Sequence, residues 1–290
     1  MPEIRKIRRL VYISFARHIT NRKTILIAGM AVIFAFYNYM PLTRLAMFYH
    51  ENIPPVSFVF HLSHYLVLCF HAAASVLLFA DVMKEDGFTL WTVIRSGKTE
   101  YILAQSLYVL LMSAVYVLFL YLLSLVFTLP VLGSIKEWGP FMKRMSQDMT
   151  SLVQESGISG HSLYVAPVII RHFTPAGALL FAFLIMWLDV SFTGMMILFF
   201  SCVISRSFAT AFGGVLVSIA IFATVSGMLL FGTRLLYASP MSWNNINNID
   251  YDRSGAYPSP EYVVTFLTVG IIMFAVGSYI GYRHKEAIKG

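Results

Sequence analysis

Three histidines in one apolar run are the residues whose type and spacing best suit chemistry. The run contains HLSHYLVLCFH, in which His61, His64 and His71 stand at offsets of three and ten residues. In a continuous α-helix these offsets put the three imidazoles on one face, within about 80° of arc. Such a stripe predicts either a metal or haem site or a polar face turned toward the bundle or a partner subunit. Because a helix rises 1.5 Å per residue, His61 and His71 would be about 15 Å apart, so only His61 and His64 could share a metal ion.

Asp189 is the other residue that demands an explanation, because it is the only charged side chain in the long apolar runs. A carboxylate inside a membrane costs at least about 2.5 kcal/mol on insertion scales, and it usually marks a function. We predict either proton or substrate handling, or a structural hydrogen-bond acceptor against a neighbouring helix. His71 has a similar predicted depth, which makes a His71–Asp189 pair a hypothesis.

Gly97, Lys98 and Thr99 are the last three residues of a nucleotide-binding P-loop pattern. That pattern requires a first glycine five residues before the second, so that backbone N–H groups can converge on the phosphates. Here Thr92 occupies that position. We therefore predict that the chain does not bind ATP there. No nucleophile elbow or H-E-x-x-H motif is apparent either, so we predict that the chain is not an enzyme on its own. No cofactor or metal is predicted.

Composition predicts the element type that must position these residues. The 290-residue chain is 58% hydrophobic and only 12% charged, against about 25% charged in average proteins. Lipid offers no partner to backbone polar groups, so a spanning segment is a helix of about 20 apolar residues. The predicted fold is all-α: a polytopic integral membrane protein with six transmembrane helices and a basic amphipathic N-terminal helix. The six apolar runs are Thr24–Met40, Val56–Ala80, Ile102–Leu129, Pro175–Ile204, Phe208–Gly232 and Tyr262–Tyr282.

The distribution of basic residues predicts the topology. If the N-terminus is cytoplasmic, most of the 21 Lys and Arg residues lie on the cytoplasmic side of six spans. Both termini are then inside, residues 81–101 form a cytoplasmic loop, and residues 130–174 and 233–261 lie outside. The positive charge is a topology signal, so no nucleic-acid partner is predicted.

Two segments outside the spans have helical periodicity. In residues 1–23 an apolar stripe is flanked by Arg and Lys, which is typical of a helix lying on anionic lipids; a basic tail that only fixes topology is the alternative. The stripe consists of Ile4, Ile7, Val11 and Phe15. A second stripe, formed by Trp138, Met142, Met145, Met149 and Leu152, predicts an interfacial lid or an ordinary helix packed over the bundle end.

The cytoplasmic loop has the pattern of a docking element. It begins with acidic residues, turns at Gly87, continues through a short apolar run and breaks at Gly97. In that run Trp91 and Ile94 suit packing against another protein. The basic residues Arg95 and Lys98 suit charge pairing.

With this loop, six spans and a basic leading helix, the sequence resembles the membrane subunits of ABC-2 type ABC exporters. The resemblance implies that Glu85 to Lys98 form a coupling helix that inserts into a cytosolic ABC ATPase subunit, which binds the ATP. It also implies a second copy or a homologous permease as partner, and a bacterial plasma membrane as location. Such a permease exports an amphiphilic peptide, lipid or antibiotic. Two alternatives stay open: an intramembrane metal or haem enzyme using His61, His64 and Asp189, and a non-transporting sensor or immunity protein.

Overall fold

The computed structural model describes residues 3–84, 87–158, 164–224, 230 and 232–287, and these residues are predominantly helical. The longer and shorter α-helices follow one another along the chain as α1 (Ile4–Ile19), α2 (Arg22–Phe48), α3 (Tyr65–Phe79), α4 (Gly87–Ser96), α5 (Lys98–Thr128), α6 (Gly139–Gln147), α7 (Met149–Ser156), α8 (Pro167–His172), α9 (Pro175–Val203), α10 (Arg206–Phe222) and α11 (Pro260–Ala287).

Short 3₁₀ segments connect several of these helices. They comprise Ser57–Ser63, Leu129–Val131, Gly232–Ala238, Pro240–Asn244 and Ile246–Asn248. In the described part of the chain the only β-type pairing is one isolated bridge, between Ile53 and Leu132. The prediction of an all-helical protein is confirmed.

Four helices are long and apolar enough to cross a membrane: α2, α5, α9 and α11. A fifth span results if Ser57–Ser63 and α3 are counted together, although they meet at an angle of 92°. The prediction that Val56–Ala80 is one straight helix is therefore wrong. The predicted length of the first run, Thr24–Met40, was also too short, because α2 continues through Pro41 to Phe48. Helix α10 has 17 residues and is shorter than a typical span.

Helix α9 forms the centre of the bundle. In the most apolar 18-residue stretch of α9, 72% of the residues are buried, whereas in that of α11 only 17% are buried. Its start is fixed locally, because Pro175 lacks the N–H that a first helical turn leaves unpaired and the Thr174 side chain accepts a hydrogen bond from the Gly177 N–H. A Cβ on Gly194 would lie 2.5 Å from Val109 and 2.8 Å from Phe79, so glycine allows α9 to approach α3 and α5 closely.

The helix ends gather at two opposite ends of the bundle. At the first end Asp81, just after α3, contacts Lys23 at the start of α2 and Arg206 at the start of α10. At the second end the backbone N–H of Ile53, after α2, donates to the carbonyl of Val131, after α5. Helices α1 and α4 lie at the first end, and α6, α7 and α8 lie at the second.

The second apolar stripe is buried over the second end. Trp138 donates from its indole N–H to the Phe173 carbonyl at 2.7 Å, and its ring lies 6.0 Å from that of Phe60. Met142, Met145 and Leu152 are buried as well. The stripe belongs to two helices rather than one, because the chain breaks at Asp148 between α6 and α7. This arrangement matches the packed alternative.

Two of the 3₁₀ segments lie buried inside the protein. Segment Ser57–Ser63 is almost entirely buried, and so is Pro240–Asn244, which lies in the region predicted to be an external loop. Both pack against α9. The next segment, Ile246–Asn248, contacts Ser57–Ser63, where Asn247 donates from its side chain to the Ser63 hydroxyl at 3.1 Å. Backbone that is not α-helical is tolerated at membrane depth only where protein or water, not lipid, surrounds it. The burial of both segments fulfils that condition.

Candidate functional site

A chain of four buried polar side chains joins α2, the Ser57–Ser63 segment, α3 and α5. Its members are Asn38, His61, His71 and Tyr116, each at most 5% exposed. The Asn38 amide nitrogen lies 3.0 Å from His61 Nδ1, the two histidine Nε2 atoms lie 2.8 Å apart, and His71 Nδ1 lies 2.6 Å from the Tyr116 hydroxyl. We refer to these residues as the buried polar chain.

The bend at His64 brings the two histidines together. A straight helix would separate them by about 15 Å, as the sequence analysis assumed. The 92° turn between the 3₁₀ segment and α3 instead folds His61 back onto His71. The predicted separation of about 15 Å, which had excluded a metal ion shared by His61 and His71, is therefore wrong. His64, placed at the bend itself, stacks on Tyr65 and contacts the Tyr37 ring edge, and it takes no part in the buried polar chain.

The hydrogen bonds fix the direction of the chain. The Asn38 amide nitrogen also lies 2.9 Å from the His61 carbonyl oxygen, which can only accept, so this nitrogen is the donor in both contacts. His61 therefore accepts at Nδ1 and donates from Nε2 to His71 Nε2. His71 in turn donates from Nδ1 to the Tyr116 oxygen. Both imidazoles are neutral in this arrangement, and every ring nitrogen of the pair has a partner.

This arrangement suits a hydrogen-bond network that holds the helices together better than it suits a metal site. A metal ion at His61 or His71 would have to displace a hydrogen bond that a buried nitrogen already makes. Within the part of the chain that the structure describes, no three His, Cys, Asp or Glu side chains are grouped so that they could hold a metal. Tyr39 adds to these contacts, because its ring stacks on His61 with centroids 5.0 Å apart and planes 14° apart.

Asp189 has a different partner from the one hypothesised. It is fully buried in α9, and its Oδ2 accepts from the Asn244 side-chain nitrogen at 2.5 Å. The proposed His71–Asp189 pair does not form, because both ring nitrogens of His71 bond to His61 and Tyr116. The Oδ1 atoms of Asp189 and Asn244 are buried without a hydrogen-bond partner in the described residues. A carboxylate leaves both of these acceptors without a donor, whereas a neutral carboxylic acid carries an O–H of its own.

Substitutions at Asp189 test whether it is needed as a charge or as a hydrogen-bonding group. Asp189→Asn keeps an acceptor for Asn244 and adds a donor, so we expect unfolding in detergent to change by less than about 1 kcal/mol. Asp189→Leu removes the acceptor and should cost about 2 kcal/mol, since a buried amide loses its partner. Equal destabilisation by both variants would contradict the acceptor role and point to a required negative charge.

Another candidate site is an exposed surface on α4, at the first end of the bundle. Trp91 and Ile94 are 68% and 74% exposed, so the protein itself does not cover these two large apolar side chains. We refer to Trp91 and Ile94 as the docking surface, after the role predicted from the sequence. Arg95 and Lys98 beside it are also exposed. Gly97 separates α4 from α5 with a φ of 92°, which glycine adopts readily and other residues rarely do. Glu85, which was predicted to belong to this element, lies outside the described residues.

An ion-pair cluster connects the chain preceding α4 to two other helices. Asp81 contacts Lys23 of α2 at 2.7 Å and Arg206 of α10 at 2.5 Å, and Arg206 also donates to the Ala80 carbonyl at 2.9 Å. Burial on its own raises the pKa of the Asp81 carboxyl, but the Lys23 and Arg206 charges outweigh it and hold that pKa below its usual value. We call Lys23, Asp81 and Arg206 the Asp81 cluster.

A small polar cavity of about 110 Å³ lies behind α4, between α1 and α5. His18 lines it, and desolvation lowers the pKa of this imidazole to about 4 although Asp81 opposes the shift. His18 is therefore neutral at physiological pH. Gln105 donates to the Ser14 hydroxyl at 3.1 Å across the same region, which joins α5 to α1.

Sequence reasoning missed several residues of these sites. Asn38 and Tyr116 lie in apolar runs and Asn244 lies in a segment predicted to be an external loop. Arg206 was counted only as a topology charge. An asparagine in the middle of a predicted span was a usable signal, because a buried amide needs partners. The partners themselves could not be read from the sequence.

No known protein family, curated protein or solved structure matches this chain. The class of protein therefore follows from its own architecture. Four apolar helices of spanning length in an all-helical fold indicate a membrane protein with transmembrane helices.

Proposed function

We propose that the chain is the permease subunit of an ATP-driven exporter of the ABC-2 type, working with a separate cytosolic ATPase. The observation that supports this most is the exposed Trp91–Ile94 docking surface on a short helix held between Gly87 and Gly97. A large aromatic side chain left exposed beside basic residues is typical of a protein–protein contact centre. In this proposal α4 is the coupling helix.

The proposed topology has six traverses, with both termini in the cytoplasm. Under this proposal the bent pair of Ser57–Ser63 and α3 forms the second traverse. Helix α10, together with the 3₁₀ segments that follow it, forms the fifth. The meeting of Lys23, Asp81 and Arg206 at the first end supports this, because the start of α2, the end of α3 and the start of α10 must then lie on one side. Most of the basic residues favour the cytoplasm for that side.

Force from the ATPase would enter the membrane domain by two routes. Helix α4 continues into α5 across Gly97, and the chain before α4 reaches α2 and α10 through the Asp81 cluster. A push on α4 would therefore move α2, α5 and α10 together and open a path beside α9 or between two permease copies. An amphiphilic peptide, lipid or antibiotic is the proposed cargo.

Co-purification tests the proposal. We expect the full chain, extracted in mild detergent from its native cells, to carry an ABC ATPase in a stoichiometric ratio identified by mass spectrometry. ATP hydrolysis by that complex should exceed hydrolysis by the ATPase alone. The absence of any nucleotide-hydrolysing partner from preparations that retain the folded chain would overturn the proposal.

The Asp81 cluster provides a prediction that separates assembly from coupling. Asp81→Asn removes the charge that joins Lys23 to Arg206, so we expect ATP-driven transport to fall about fivefold while the ATPase still binds, in keeping with typical coupling energies. Transport into inverted vesicles and pull-down of the ATPase measure the two effects. Asp252→Asn is the matched control, because Asp252 pairs with His172 at the second end of the bundle. An equal loss of transport in both variants would contradict the coupling role.

A further inference from the structure

A basic groove lies between α1 and α4, and residues of both helices line it. Its volume is about 400 Å³, and its lining includes Lys6 and Arg9 from α1 and Arg95 from α4. Trp91 forms part of the same wall. We propose that this groove binds the headgroup of an anionic phospholipid. The proposal uses the proposed function only to assign this end to the cytoplasmic leaflet; it does not require the ATPase.

The charges of the groove suit a phosphodiester. Three cationic side chains from two helices converge on one space, and the lining residues include no carboxylate. The Glu3 carboxylate lies 3.4 Å from the Lys6 ammonium. Both side chains of that pair are largely exposed, so it neutralises Lys6 only weakly. Guanidinium groups in particular match the geometry of phosphate oxygens.

The apolar surroundings favour a lipid over a soluble anion. Another face of α1 exposes Ile4 and Tyr12, which are 81% and 73% exposed, so this helix has apolar surface that the protein does not cover. Helix α2 begins directly afterwards and exposes Ile25 and Leu26 in its first turns. Exposed apolar surface therefore continues from the helix that lines the groove into the first spanning helix. A tryptophan beside basic residues is the usual composition at a membrane–water interface.

The position of the groove gives the bound lipid a consequence. Lys6 and Arg9 belong to α1, whereas Arg95 and Trp91 belong to α4, so one headgroup would contact both helices. A headgroup in the groove would hold α4 against α1 and thereby orient the docking surface. Trp91 also reports occupancy, because a lipid in the groove would touch its indole ring.

Quenching of Trp91 fluorescence by brominated lipid tests the proposal on the purified full chain in phosphatidylcholine nanodiscs. The Trp91 signal is obtained by subtracting the spectrum of Trp91→Phe. We expect brominated phosphatidylglycerol to quench this signal at lower mole fraction than brominated phosphatidylcholine. Lys6→Gln/Arg9→Gln should weaken that preference about 25-fold, because each of the two basic residues contributes about fivefold to binding an anionic lipid.

Arg5→Gln/Arg8→Gln is the matched control, since it removes the same charge from the same helix at residues that do not line the groove. We expect it to weaken the preference by no more than about threefold, because nanodiscs made mainly of phosphatidylcholine have little general surface charge. Equal losses in the two double variants would overturn the groove as a site, and so would the lack of a preference in the unmodified chain. Displacement of the lipid by added inorganic phosphate would overturn the lipid assignment in favour of a free anion. The nanodiscs contain no ATPase, so failure here leaves the proposed function standing.

Discussion

Replacing Trp91 with alanine is expected to weaken binding of the proposed ATPase partner by at least about 30-fold, the loss that truncation of a central aromatic contact residue typically causes. Trp91 is 68% exposed in the isolated chain, so its removal leaves no cavity in the chain itself. The expected loss therefore comes from the interface and not from misfolding. Binding of the purified ATPase to the chain in detergent, measured by biolayer interferometry, gives the affinity directly.

Ile94→Ala should produce a smaller loss than Trp91→Ala, because it removes less apolar surface from the same docking surface. Tyr164→Ala is the control: Tyr164 is an aromatic residue with 56% exposure, and it precedes α8 at the second end of the bundle. Unchanged ATPase binding by Trp91→Ala, or an equal loss in Tyr164→Ala, would contradict the role of α4 as a coupling helix.

The sequence predicted the helices that are set by composition alone. Helices α5 and α9 correspond closely to the apolar runs Ile102–Leu129 and Pro175–Ile204, because twenty or more apolar residues have no alternative to a helix in lipid. The break at Gly97 was also predictable, since a glycine between two helical patterns is a local signal. These features depend on residues that are close in the chain.

The bend at His64 could not be predicted in this way. The run Val56–Ala80 contains neither glycine nor proline, because Pro54 and Pro55 lie before it. No local signal therefore marks the break. The Asn38 side chain of α2 instead donates to the His61 carbonyl, which a continuous helix would use internally. The bend is thus stabilised by residues distant in sequence, and periodicity cannot detect such a partner.

The same distinction between local and distant signals applies to the candidate sites. Trp91, Ile94 and Asp189 could be identified from the sequence. Large apolar residues in a polar loop and a charge inside a spanning segment are recognisable without knowledge of their partners. Their partners did not stand out. Asn244 reaches Asp189 only because the segment predicted to be an external loop packs into the bundle beside α9. Polar residues are visible in a sequence, but the pairs that they form depend on tertiary packing.

Disrupting the buried polar chain is expected to have the largest effect on stability. His71→Ala leaves the His61 Nε2 donor and the Tyr116 hydroxyl without their partner and opens a cavity between α3 and α5. The expected cost is about 2–4 kcal/mol in the free energy of unfolding, since each unsatisfied buried group costs about 1–3 kcal/mol and hydrogen bonds in membranes lie toward the low end. Unfolding in mixed detergent–SDS micelles, followed by the fluorescence of the buried tryptophans, provides the measurement.

A double-mutant cycle distinguishes a hydrogen-bonded pair from two independent buried histidines. If His61 and His71 act through the 2.8 Å contact between their Nε2 atoms, His61→Ala costs less in the His71→Ala background than in the unmodified chain, by about 1 kcal/mol or more. His64→Ala is the matched control, because His64 lies at the same bend but outside the chain of hydrogen bonds. We expect its cost to stay below about 1 kcal/mol and its coupling to His71 to be near zero. Additive costs for His61→Ala and His71→Ala would show that the bend is stabilised by packing alone, and that the histidine pair does not hold it.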